Sequence, residues 1–123
     1  MSRYNIDHLL VNMVASTSES EPIDVRHAGK MSVRVPTGWA SACLGLKAAP
    51  TSLTTYGPVF VNQVLNTMAG EFTVPVQFYS VSAGRVVAFD VRALAHVRLW
   101  SQTGGYTAVT QAAGLAFPVV RKW

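Results

Sequence analysis

Apolar and polar residues alternate along most of the chain with a period of two. In Glu71–Phe78, residues Phe72, Val74, Val76 and Phe78 share one side and Glu71, Thr73, Pro75 and Gln77 the other. That alternation marks a strand with one buried face. Pro75 has no N–H for a ladder bond, so this strand is expected at a sheet edge or with a bulge. The same rhythm recurs in Lys30–Pro36 (Met31, Val33 and Val35 against Ser32 and Arg34) and in Ala42–Lys47 (Ala42, Leu44 and Leu46). It returns in Gly84–Val91 (Val87, Phe89, Val91), His96–Ser101 (Val97 and Leu99 against His96, Arg98 and Trp100) and Leu115–Trp123 (Leu115, Phe117, Val119). Residues 22–28 and 59–63 read as two further strands.

Turn chemistry separates these runs. Ala28-Gly29-Lys30 suggests a tight hairpin, Pro36-Thr37-Gly38 a turn with a glycine free to take positive φ, Gly104-Gly105 another turn, and 49–58 a longer loop. Short strands with turn signals about every ten residues predict an all-β protein, an antiparallel β-sandwich. The one segment with a helical spacing is Tyr4–Val14, where Ile6, Leu9, Leu10 and Met13 fall at i, i+3, i+4 and i+7. It is expected as a short helix or an extended arm, either docked on a neighbour or folded back on its own domain. The small polar stretch Ala15–Pro22 reads as a linker. The expected organisation is therefore an N-terminal arm and linker over 1–20 and a sandwich over 21–123.

Composition sharpens this picture. Half of the 123 residues are hydrophobic and 13% are charged, against about 25% charged in an ordinary soluble domain. So few charges leave apolar or neutral polar surface outside, and such surface is commonly covered by a partner. The net charge of +4 comes from scattered cations without a basic run, which argues against a nucleic-acid groove. No stretch approaches the roughly 20 apolar residues of a membrane span, and no secretory signal is evident in the first residues. The chain is expected to be made in the cytoplasm. The single Cys43 excludes an internal disulfide and is expected as a small buried hydrophobe.

Candidate chemistry is sparse. His8, His27 and His96 lie in separate segments without metal-ligand spacing. Asp90, between Phe89 and Val91, calls for a partner such as Arg92 or Arg98. Convergence of Asp90 with Glu71 or His96 would be needed for an enzyme. No nucleophile elbow or phosphate-cradling loop is present. No catalytic residue, metal site or cofactor is therefore assigned. The aromatics are better recognition candidates: Trp39, Tyr56, Trp100, Tyr106 and Trp123 fall at loops, outward strand positions or the C-terminus. There they could anchor an interface or, for Trp39, Trp100 or Tyr106, stack on a sugar; Trp39 is expected instead to close the core, and Trp100 to face an interface. Together with the apolar residues of the first segment, the interface candidates are Tyr4, Ile6, Leu9, Leu10, Met13, Trp100, Tyr106 and Trp123.

Several of these runs carry a resemblance. Met31-Ser-Val-Arg-Val-Pro-Thr-Gly-Trp-Ala40, Cys43-Leu-Gly-Leu-Lys47, Gly70-Glu-Phe-Thr-Val74, Val87-Ala-Phe-Asp90, Val97-Arg-Leu-Trp-Ser101 and the closing Ala112–Arg121 stand in an order that resembles small structural proteins of tailed bacteriophages. The likeness runs over 21–123. Where that family carries a Ser-x-Asp-Gly hairpin, this chain has Ala48–Thr55. The resemblance implies a jelly-roll-like sandwich built into a virion. It implies a decoration (cement) protein that contacts the major capsid protein, or a tail, connector or fibre-base protein. A homo-oligomer, dimer or trimer, is expected because closed symmetry is the common solution, and the charge pattern and apolar run lengths lead to the expectation of no nucleic acid and no membrane as partner. A glycan-binding module using the exposed aromatics is the reading of a different class.

Overall fold

The computed structural model describes residues 6–51, 55–58, 60–64, 71–75, 77–103 and 107–123. All regular structure in them is β: β1 Ile6–Met13, β2 Ile23–Asp24, β3 Lys30–Arg34, β4 Ala42–Ala49, β5 Gly57–Pro58, β6 Phe60–Val64, β7 Glu71–Pro75, β8 Gln77–Val81, β9 Val86–Asp90, β10 His96–Gln102 and β11 Leu115–Lys122. One sheet has the order β1-β11-β3-β9. A second has β2-β10-β4-β5, with β8 also on β4, and β6 pairs β7 separately. Every pairing is antiparallel.

The two larger sheets pack face to face as a β-sandwich, as the alternation predicts. From the first sheet, Val11, Met13, Met31, Val33, Phe89, Leu115, Phe117 and Val119 point inward. From the second, Ile23, Leu44, Leu46, Val97 and Leu99 meet them in one continuous core. Removal of this apolar area from water, at about 25 cal/mol per Å², is the main force joining the layers. Trp39 closes one end as expected. Its ring meets Phe117 edge-on at 5.9 Å, and its Nε1–H donates to the Val81 carbonyl at 3.0 Å. Gly38 takes φ +96° in the turn before it. Cys43 is free and buried.

Of the alternatives for the first segment, the structure has the extended one, folded back on its own domain. Residues 6–13 are not a helix. They form β1 and pair over their whole length with β11, from Ile6 opposite Lys122 to Met13 opposite Leu115. Residues 15–22 are not a free linker either. Thr17 bridges Gln111 and Glu19 bridges Trp100. Ser20 is buried; its N–H donates to the Leu99 carbonyl at 2.9 Å, and its Oγ accepts the Leu99 N–H at 2.8 Å. A small polar sequence here lines the side of β10 and satisfies backbone groups.

Two turn expectations also change. Ala28-Gly29-Lys30 joins β2 to β3, which lie in different sheets, so it is a corner between layers and not a hairpin. The single strand expected over 71–78 is two: β7 ends at Pro75 on β6, and β8 begins at Gln77 on β4. A proline that cannot donate suits the end of a strand. Val76 and the Gly104-Gly105 turn lie outside the described residues.

Gln111 is a buried polar side chain with its bonds made. Its Oε1 accepts the Ala40 N–H at 2.8 Å, and its Nε2 donates to Ser101 Oγ at 2.9 Å and to the Ala40 carbonyl at 3.3 Å. Replacing one member of such a group strands the others. Gln111→Leu is expected to destabilise the fold by about 1–3 kcal/mol despite its greater hydrophobicity, read as a lower denaturant midpoint with an unchanged slope.

Candidate interaction surface

The outward face of the β1 sheet follows from register. Even-numbered residues of β1 point out: Ile6, His8, Leu10 and Asn12. Val14 continues the row just past the strand. Beside them on β11 stand Lys122, Val120, Pro118 and Ala116. Across β3 and β9 the rows continue as Lys30 with Asp90, Ser32 with Ala88, and Arg34 with Val86. One row, Lys122-Lys30-Asp90, is charged. The next row, His8, Val120, Ser32 and Ala88, carries no carboxylate, lysine or arginine, and the one after it sets Leu10, Pro118 and Val86 around a single cation, Arg34. Ile6 is 50%, Leu10 58% and Val86 64% exposed. Large aliphatic side chains left in water on one sheet face are a mark of a protein contact. β1 is also the last strand of its sheet, so among the described residues no strand pairs its far side.

The interface candidates separate on this geometry. Ile6 and Leu10 lie exposed on the outer face. Leu9 faces inward and packs against the core, and Met13 is fully buried in it. Trp123 is 46% exposed, beside a groove of about 310 Å³ lined also by Asp24, His27, Ala28 and Arg121. Trp100 is only 4% exposed and is not a free surface residue. It does lie opposite Val97 and Leu99, as its position in the alternation requires. It is covered there by Lys47, whose Nζ sits 4.6 Å from the ring centre and 2.9 Å from Glu19 Oε2. The segment read as a linker is thus part of what hides it. Tyr4 and Tyr106 lie outside the described residues. With Trp39 and Trp100 both inside, those two rings are not available for stacking on a sugar.

The carboxylates are spoken for. Of the six, all but Glu71, whose side chain lies outside the described residues, hold a structural partner. Asp7 pairs with Arg121, Glu19 with Lys47, Asp24 with Arg26, and Asp90 with Arg92. Glu21 Oε1 accepts the Asn12 N–H at 3.0 Å. Asp90 takes the partner expected of it, although it lies on the exposed outer face. Hydrogen bonds from the Arg92 guanidinium and backbone N–H lower its pKa to about 2. The Arg26 guanidinium likewise holds Asp24 well below the usual carboxylate range.

A depressed acid stabilises the fold fully above its unfolded value, about 3.9, and loses that contribution as pH falls through the folded value. The pair is solvent-exposed, so the effect is small and screened by salt. Asp90→Asn is expected to lower the melting temperature slightly at pH 7, with the difference closing as the pH is taken down to about 2. Thermal melts of both proteins across that range check it.

These features define a β-sandwich with an uncovered, partly apolar outer face. Its fold is similar to that of the SPBc2 prophage-derived protein YomS, known from a crystal structure: TM-score 0.61 and 14% identity, over 100% of this chain and 97% of that one. At that identity the likeness is one of fold. No family model matches the chain, and no curated protein matches it at a significant level.

Proposed function

We propose that this chain is a non-enzymatic structural protein of a tailed-bacteriophage particle, and that it serves as a capsid decoration protein. The observation that carries the reading is the outer face of the β1 sheet, where Ile6 and Leu10 on β1, the latter beside Pro118, and Val86 on β9 all stand half or more exposed. A soluble domain with no partner gains nothing from that row. A protein that docks on a shell uses it as the apolar centre of the contact, with Lys30, Lys122 and Asp90 as a charged rim.

Two further observations support the reading. The carboxylates serve the fold, as structural pairs. The fold is shared, along nearly the whole of both chains, with a prophage-derived protein. In this role the chain needs only rigidity and one adhesive face. Many weak contacts repeated over a shell add through multivalency. Its partner is then the major capsid protein, and its place the virion.

Empty shells carrying the protein should withstand heating better than shells stripped of it, and adding back the purified chain should restore the difference. Equal heat resistance in the two preparations would remove the decoration role. Location of the chain at the tail or connector by labelled electron microscopy would move it to another part of the particle.

A further inference from the structure

We propose that two copies of this chain join edge to edge through β1, antiparallel, with the two-fold axis at His8. The two four-stranded sheets then become one of eight strands.

The argument starts from Asn12. Its N–H donates to Glu21 Oε1 at 3.0 Å, and its carbonyl accepts the Glu21 N–H at 2.9 Å. Both groups therefore turn away from β11. In an antiparallel ladder alternate residues turn their backbone groups to the same side, so those of Leu10, His8 and Ile6 also face the open edge. The residue opposite Leu10 agrees with this parity: it is Pro118, which has no N–H to give. The open backbone thus runs from Ile6 to Leu10 and is closed at Asn12 by Glu21.

That stretch is self-complementary in one register. With the axis at His8, Ile6 pairs with Leu10 of the second copy, His8 with His8, and Leu10 with Ile6, and each pair can exchange two N–H···O bonds. An axis at Leu9 or Leu10 would set an open residue against Asn12, whose groups Glu21 already holds. An axis at Asp7 leaves Leu10 without a partner from the open stretch. Only the register at His8 uses all three open residues.

The side chains fit the same pairing. Residues directly opposite point to one face and touch, so Ile6 and Leu10 pack side by side twice across the axis, with their outward surfaces still part of the adhesive face. The charges are compatible. Asp7 is the single charged residue between Ile6 and Leu10, and its carboxylate is held by Arg121 of its own chain. Free edges usually carry a lysine, a proline or a bulge that blocks pairing. The stretch from Ile6 to Leu10 has none.

This deepens the function proposed above, since a two-fold unit presents two adhesive faces in one plane. It also stands or falls without that reading, because it is measured on the purified protein with no particle present. The mass of the full chain in solution, by sedimentation equilibrium, should be that of two copies, and Leu10→Lys should reduce it to one with the melting temperature of the fold nearly unchanged. The register has its own test. Bonded antiparallel pairs stand about 5.5 Å apart at Cα, inside the disulfide range of roughly 4.4–6.8 Å. In a Cys43→Ala background, His8→Cys should oxidise to a covalent dimer. Ile6→Cys alone should not, and Ile6→Cys combined with Leu10→Cys should. A mass of one chain at the highest soluble concentration overturns the proposal, as does a dimer that survives Leu10→Lys or a His8→Cys variant that stays uncrosslinked. Dimerisation without shell binding would instead count against the decoration role alone.

Discussion

Removing residues 1–13 is expected to unfold the domain. The truncation takes away β1, and with it the partner of β11 along its whole length. The backbone groups of β11 that face β1 lose their bonds, and the inner face of the sheet loses Val11 and Met13, both fully buried. Truncating one buried methionine to alanine costs about 2–5 kcal/mol, and here whole residues and a ladder go as well. A domain of this size has about 5–15 kcal/mol of total stability. The truncated chain should show no cooperative melt by circular dichroism and should aggregate through the newly opened β11 edge. A dispensable arm would give the opposite result, a soluble domain with its melting transition nearly intact.

Phe117→Ala should come next in size. Phe117, the third residue of β11, has no exposed surface and lies between the sheets, edge-on to Trp39. Its loss opens a cavity that the ladder to β1, where Phe117 stands opposite Val11, and the packed core around it hinder from collapsing. The expected cost is about 3–5 kcal/mol, or roughly 10–20 °C in melting temperature. Val86→Ala is the contrasting control: its side chain is on the outer face, and the melt should hardly move. If the two variants melted alike, the core would not be where Phe117 lies.

The sandwich is legible in the sequence wherever one face is apolar and the other polar. Leu115-Phe117-Val119, Met31-Val33-Val35 and Val97-Leu99 were read from period two alone, and all are buried in the core. The first strand escaped that reading because both of its faces are apolar. Ile6 and Leu10 belong to the outer face, Leu9 and Met13 to the inner one. The two sets interleave into a spacing that imitates a helix. The ambiguity has a physical cause, since an outer face used for contact carries residues that resemble a core.

Trp100 shows a different limit. Alternation places it correctly on the far side from Val97 and Leu99, but not what covers that side. The covering groups are Lys47 from β4 and the 17–20 segment, brought there by pairings distant in sequence. The polar stretch 15–22 was opaque for a similar reason: its composition is that of a linker, and its hydrogen bonds to Leu99 and Gln111 become visible only in three dimensions. The turn at Ala28–Lys30 was legible as a turn, but local chemistry does not say whether the next strand joins the same sheet. Of the interaction surface, the sequence offered Ile6 and Leu10 as exposed candidates. The free edge beside them, and its closure by Glu21 at Asn12, emerged only from the register.

The central claim is that the chain is a repeated component of a phage particle. The most direct test is the copy number of this chain in purified particles produced from the genome that encodes it, by quantitative mass spectrometry against the major capsid protein. The decoration role predicts many copies per particle, in a fixed ratio to the shell subunit. Particles purified to constant composition and lacking the chain would contradict it.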